Sequence, residues 1–210
     1  MVDNKSQDAI IKRYDRIAPI YDTMEMLAEC SGYSHWRKLL WSKVEGEDIL
    51  EIGVGTGKNF HYYPLDIRIT AVDFSEKMLN RARRKATKEN IDVNLQQMDV
   101  QELAFDDNVF DTVAGSFVFC SVPDPIRGLK EVKRVVKSGG KVVLLEHVLS
   151  ANRIIAGIMN LVNPLVVHTM GPNINRRTVE NITHSGLVVE RVTDLSAGIF
   201  KLIEAKKVSS

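Results

Sequence analysis

Asp48-Ile49-Leu50-Glu51-Ile52-Gly53-Val54-Gly55-Thr56-Gly57 is the stretch around which the chain is organised. Ile49, Leu50 and Ile52 read as a short buried strand, and three glycines at alternate positions follow at once. Glycine reaches positive φ and carries no Cβ, so backbone there can turn tightly and approach a ligand. An apolar strand that runs into a glycine turn is how an α/β sheet opens a binding crevice at the carboxyl ends of its strands. Two phosphate-binding readings fail on spacing. A P-loop ends in Gly-Lys-Ser/Thr, with another glycine five residues before the last one. Here Asn59 follows Gly57-Lys58, and Ile52 stands at the earlier position. A dinucleotide turn has its third glycine three residues after the second, where this chain has Lys58. What remains is Glu-x-Gly-x-Gly-x-Gly. An acid just ahead of the turn suits a cationic ligand group and repels a pyrophosphate.

Downstream, the pattern repeats at the ends of two more apolar runs. Ile67-Arg68-Ile69-Thr70-Ala71-Val72-Asp73 reads as a second strand ending in an acid, twenty residues past Gly53. That is where an acid accepts hydrogen bonds from ribose hydroxyls in an α/β nucleoside site. A lone Asp at a strand end can also cap a helix, but Ser75, ahead of Glu76-Lys77-Met78-Leu79, is the better cap. Val93 to Val100 reads as a third strand with Asp99 at its end, and Phe110 to Phe117 as a fourth.

Glu51-Ile52-Gly53-Val54-Gly55-Thr56-Gly57, with Asp73, Asp99 and Phe110-Asp111-Thr112-Val113, resembles the motifs of the class I S-adenosylmethionine-dependent methyltransferases. The resemblance covers residues 49 to 147 most closely. It implies a Rossmann-like α/β fold: a seven-stranded sheet, mostly parallel with a reversed last strand, and helices on both faces. It implies that Glu51, Gly53, Gly55 and Gly57 hold the methionine half of S-adenosyl-L-methionine, and that Asp73, with Phe74 beside it, takes the ribose. Met78 matches the position that packs on adenine, although a helical Met is also ordinary core. Asp99 matches the acceptor for the adenine amino group, and the Val100 N–H the ring contact. Ser116 would emerge beside the transferred methyl group. Lys137-Ser138-Gly139-Gly140-Lys141 resembles the family turn Leu-Lys-Pro-Gly-Gly except for Ser138 where Pro is usual.

Bulk properties bound the remaining choices. At 210 residues one domain is the default, with room for a core. A net charge of +1 gives no basic field for nucleic acid. Two cysteines, Cys30 and Cys120, lie far apart without metal spacing, which points to a reducing compartment. The polar start, with Asp3, Lys5 and Asp8, is not a signal peptide. The expected location is cytoplasmic, with peripheral contact at the inner membrane face as an extension of that reading. No metal is expected, and a monomer is the working expectation.

Residues 1–45 read as an N-terminal helical cap and 46–208 as the core, with a lid insert at 150–178. In the cap, Tyr14-Asp15-Arg16-Ile17-Ala18-Pro19-Ile20-Tyr21-Asp22 resembles the lead-in of quinone C-methyltransferases and bacterial phospholipid N-methyltransferases. That likeness places Tyr14 on the cofactor and Tyr21 in the substrate pocket; packing at a helix junction is the alternative. Trp36, Leu39, Leu40 and Trp41 dock the cap on the core. Lys58 to Tyr63 is expected to open a helix whose free N–H groups face the cofactor carboxylate, with Pro64 stopping it. The cations Arg81, Arg83, Arg84, Lys85 and Lys88 read as a solvated helix face. Cys120 reads as a small buried residue rather than a nucleophile.

Glu146-His147 ends the fifth strand, and His147 can accept a proton, bind an anionic headgroup, or serve structure alone. Arg153 to Met170 is too interrupted for a membrane span and too apolar for an ordinary connection. It can cover an apolar substrate, rest on a membrane surface, or be a core helix. Arg176 and Arg177 can pair with a phosphate. Gly186 to Val192 and Phe200 to Ala205, joined by a short turn, pair antiparallel. Together these residues imply an enzyme of the methyltransferase class, yielding S-adenosyl-L-homocysteine. The catalytic candidates are Tyr21 and His147, and the substrate candidates are these two with Arg176 and Arg177. A phospholipid amine headgroup is the first choice of acceptor, ahead of a small thiol and then a quinol precursor. A non-catalytic S-adenosylmethionine-binding regulator is the reading from another class.

Overall fold

Ile49 to Ile52 are fully buried because their strand is hydrogen-bonded on both edges and covered on both faces, which is why the run carries so little polar punctuation. In a computed structural model, which describes residues 32–169 and 171–208, this strand, β1 (Asp48–Ile52), pairs parallel with β2 (Arg68–Asp73) and with β4 (Phe110–Ser116). Among the described residues the sheet has seven strands in the order β3-β2-β1-β4-β5-β7-β6, with β3 (Asn94–Gln97), β5 (Val136–His147), β6 (Val188–Ser196) and β7 (Phe200–Lys206). β1 to β5 run parallel, and β7 is antiparallel to both β5 and β6. The chain therefore has the Rossmann-like architecture expected, reversed strand included.

Alternation along the strands sorts the core into two layers. Leu50, Ile52, Val113, Val142 and Leu144 face helices α3 (Pro125–Val135) and α5 (Thr178–His184) through Leu129, Val132, Val135 and Ile182. Ile49, Ala114, Val143 and Leu145 face α1 (Ser34–Trp41) through Leu40 and Trp41. Ala71 meets Leu79, Ala82 and Ala86 of α2 (Glu76–Glu89). Ser75 caps α2, its hydroxyl accepting the Met78 N–H, as expected of a Ser at that place. Asp124 caps α3 in the same way, ahead of Pro125 at the first turn.

Several local expectations are corrected. No α-helix follows the glycine turn: residues 58–63 contain one short 3-10 turn, Phe60–Tyr62, so the helix N-terminus expected to face a carboxylate is absent. Three positive-φ glycines and Pro64 leave too few residues for a helical nucleus. β3 is four residues long and ends before Asp99. β5 begins at Val136, ahead of the Gly139-Gly140 turn rather than after it. The apolar insert is a single helix, α4 (Arg153–Thr169), with only Met159 buried, so it is not a core helix.

The parallel strands bring the ends of β1, β2 and β4 to one edge, and strand order reverses between β1 and β4. A crevice opens at such a reversal.

Candidate functional site

The crevice is a cleft of about 800 Å³ of empty space, its open mouth included. Gly53 and Gly55 form one wall, Asp73 and Phe74 the next, and Asp99 with Val100 the third. The ends of β1 and β2 and the loop just past β3, each delivering a glycine or a carboxylate, therefore meet in one place. Gly53 has φ +64, and a Cβ there would lie 2.7 Å from Cγ2 of Val118. Gly55 has φ +56 and open space where its Cβ would stand, so bare backbone faces the cleft. Gly57 belongs to a different task. It does not line the cleft, and a Cβ there would strike the Phe60 ring at 2.4 Å. Lys85 donates to the Gly57 carbonyl at 2.8 Å, so this member of the basic run clamps the turn instead of lying free in solvent.

Asp73 is buried, and its two oxygens accept the N–H groups of Gly55 (2.8 Å) and Ser75 (2.9 Å). Burial pushes its carboxyl up to about 6 against the pull of these two donors. Asp99 accepts from the backbone and the side-chain amide of Gln101, each at 2.9 Å. Between the two acids the walls are apolar: Met78, Met98, Val100, Val118 and Val122. Met78 is both a cleft residue and core, buried on α2.

Ser116 lines the cleft at the end of β4 and is also the visible tip of a buried polar chain. Arg37 of α1 donates to Ser116 Oγ at 2.8 Å and to Asn59 Oδ1 at 3.0 Å. Asn59 donates in turn to Glu51 and to Ser116 Oγ, and Tyr63 donates its hydroxyl to Glu51. Glu51 is fully buried, outside the cleft lining, and burial raises its carboxyl to about 7. The acid ahead of the turn thus sits behind the cleft wall as the anchor of a network. Arg37, Asn59 and Tyr63 are not among the residues the sequence pattern singles out. Asn59, set two residues after the last glycine of the turn, is the one local signal of this network.

Phe117 follows at φ +59, a conformation unfavourable for a bulky residue. The turn after it is held by Glu146, whose Oε1 accepts the N–H groups of Val118 and Phe119, each at 3.0 Å. Glu146 is fully buried, with its carboxyl pushed up to about 7 by desolvation. His147 stands two residues beyond Leu145, which pairs with Ser116, and so reaches the same sheet edge without lining the cleft. Its ring meets Phe200 edge-on at 5.1 Å, its Nδ1 is buried without a protein partner, and burial lowers its pKa. Burial pushes the Cys120 thiol up to about 12.

Arg176 donates to the Val122 carbonyl at 2.7 Å, fixing the cleft's rim, while Arg177 pairs with Glu180 in solvent. Tyr14 and Tyr21 lie outside the described residues. Among the described residues no cluster of three or more His, Cys, Asp or Glu is placed to hold a metal ion. The donor set fits a sulfonium nucleoside: bare glycine backbone, two carboxylates and an apolar slot between them. Among the described residues no arginine or lysine lines the cleft to take a pyrophosphate.

A family model described as a methyltransferase domain matches residues 50–144. A phosphatidylethanolamine N-methyltransferase of Cereibacter sphaeroides is 38% identical over 142 residues, which are 67% of this chain and 68% of that protein. A ubiquinone/menaquinone biosynthesis C-methyltransferase of Bdellovibrio bacteriovorus is 32% identical over 145 residues, 66% of this chain. The matched part is 62% of that relative, so the chain spans less than two thirds of its length. Among solved structures, an S-adenosylmethionine-dependent methyltransferase of Thermotoga maritima superposes with a TM-score of 0.72 at 22% identity, covering 93% of this chain and 99% of that one.

Proposed function

The chain belongs to the S-adenosylmethionine-dependent methyltransferases, and from that membership we propose that it methylates the amine of a phospholipid headgroup of the phosphatidylethanolamine type. The observation that carries this reading is the 38% identity to a phosphatidylethanolamine N-methyltransferase across 67% of the chain.

In this proposal Gly53 and Gly55 hold the methionine end of the cofactor with their backbone. Asp73 is the ribose acceptor, and Asp99 with Val100 takes the adenine edge between Met78 and the other apolar walls. When bound, the cofactor supplies a methyl group on a positively charged sulfur. The chain's own contribution is placement and exclusion of water. Ser116 and Phe117 front the acceptor side of the cleft, and the Arg37–Asn59–Glu51 network behind Ser116 keeps that wall rigid. An amine headgroup arrives protonated at neutral pH, and its nitrogen needs a free electron pair before it attacks. His147 is kept neutral by burial at the same sheet edge, but its Nδ1 is buried off the cleft, so in this proposal the amine gives up its proton to water before it enters. The Cys120 thiol stays protonated and takes no part.

Incubation of the full chain with methyl-labelled cofactor and a membrane extract tests the substrate. Label in mono- and dimethylated phosphatidylethanolamine supports the proposal; label confined to small thiols refutes it. C-methylation of a quinol is the second reading, supported by 32% identity to a ubiquinone/menaquinone biosynthesis enzyme, and it predicts label in a prenylated ring. Tight cofactor binding with no labelled product from any source supports the regulator reading instead.

A further inference from the structure

Helix α4 presents its apolar side outward. A surface helix of a globular domain ordinarily carries its polar residues toward solvent. Here Ile154, Ile158, Leu161 and Leu165 recur at steps of four, three and four, which puts them on one face. They are 76%, 58%, 80% and 66% exposed. The opposite face carries the attachments. Met159 is buried there, and Asn163 accepts the Ile174 N–H at 2.9 Å. Single exposed apolar residues are commonplace; a continuous row marks an interaction surface.

The charge of the segment that carries the row is one-sided. No Asp or Glu occurs between Glu146 and Glu180, whereas Arg153 opens the helix and His168 stands in its last turn. Helix α4 is also joined to the cleft. The Asn173 N–H donates to the Cys120 carbonyl at 2.7 Å, Arg176 donates to the Val122 carbonyl at 2.7 Å, and Val122 lines the cleft.

We infer that α4 is an in-plane membrane-surface helix whose outer row seats at the headgroup–acyl boundary of an anionic bilayer. At 17 residues with an internal Pro164 it rests on the bilayer, and no helix among the described residues is long and apolar enough to cross one. Arg153 and the lack of Asp and Glu from residues 147–179 favour an anionic surface. A second copy is the poorer occupant, because a strip one side chain wide falls far short of the roughly 800 Å² per partner that a stable dimer face buries. Seated this way, the rim at Val122 is carried to the plane of the headgroups. The use made of that position rests on the lipid-substrate reading; the binding itself does not.

Cosedimentation of the full chain with vesicles of phosphatidylcholine and phosphatidylglycerol tests the inference. The chain pellets with these vesicles, less with phosphatidylcholine alone, and is released by high salt. Leu161→Ser with Leu165→Ser lowers the partition coefficient by about tenfold or more, while melting temperature and affinity for S-adenosyl-L-homocysteine stay at wild-type values. Equal pelleting of the double variant, or no pelleting with any vesicle, overturns the inference. So does a concentration-dependent dimer that Leu161→Ser abolishes, which would give the row to a second copy. These vesicles hold no primary-amine acceptor, so the outcome is independent of whether phosphatidylethanolamine is the substrate.

Discussion

The Asp73 carboxylate accepts the amide hydrogen of Gly55 at 2.8 Å, which joins the end of the second strand to the glycine turn after the first. Its other oxygen accepts the Ser75 N–H, so one buried side chain sets both the turn and the entry to α2. Asp73→Ala removes the two backbone bonds together with the proposed ribose acceptor. Affinity for S-adenosyl-L-homocysteine, measured by calorimetry, is expected to fall by about 100-fold. Asp73→Asn, which keeps an acceptor oxygen, should recover part of that loss. Unchanged affinity in Asp73→Ala would place the hydroxyl acceptor elsewhere.

The two cleft glycines separate packing from binding. Gly53→Ala puts a Cβ 2.7 Å from Val118 at a positive φ, so a large drop in melting temperature is expected along with loss of cofactor binding. Gly55→Ala meets open space and bears only the backbone strain, about 1–2 kcal/mol. It should fold and still bind poorly, because its methyl group enters the cleft. A Gly55→Ala protein with wild-type affinity would remove this turn from the site.

Glu146 gives a pH signature with a definite sign. Burial raises its carboxyl from 4.5 to about 7. The folded chain therefore keeps a proton that the unfolded chain has released, and stability falls as pH rises through that window. Glu146→Gln still offers Oε1 to Val118 and Phe119 but does not titrate. Between about pH 5 and about pH 8 the wild type should lose roughly 2 kcal/mol more unfolding free energy than the variant. Parallel pH profiles in denaturant melts would count against a protonated Glu146.

Arg37 is the buried cation nearest to Glu51 in the network behind Ser116. Arg37→Met leaves the Glu51 carboxyl without it, at a cost of about 3 kcal/mol. Because the Glu51 carboxyl ionises at about 7, the loss should be larger at about pH 8 than at about pH 6. Adding Glu51→Gln should reduce the pH dependence. If Arg37→Met is equally stable at both values, the coupling is absent.

Cys120 should be inert. With its thiol pushed up to about 12 and buried, little thiolate forms near neutral pH. Mass spectrometry of the native chain after iodoacetamide treatment should find the Cys120 peptide unmodified, and Cys120→Ala should retain methyl transfer. Rapid alkylation would reopen the nucleophile reading.

The site was legible where its signals are local. A glycine turn after an apolar run, and an acid at or just past each of the next two strand ends, are set by period-two alternation and backbone conformation within a few residues. Asp73 and Asp99 were found that way, and so was the reversed final strand, from two strand patterns joined by a short turn. The helix expected at Lys58 to Tyr63 failed because its residues are polar and aromatic in a spacing that a helix would also allow. Only the packing of Phe60 against Gly57 and the bond from Asn59 to Glu51 select the tighter turn.

The sequence by itself thus determined the sheet, the crevice at its carboxyl edge and part of its lining, Gly53, Gly55, Asp73, Asp99 and Ser116 among it. Tertiary structure alone decided that Glu51 lies behind the wall, since Arg37 reaches Ser116 across 79 positions of chain and no local pattern encodes that approach. It also decided that α4 turns its apolar row away from the core. A helical repeat of hydrophobic residues is the same whether it faces a sheet or the outside, and only the position of the neighbouring elements tells the two apart.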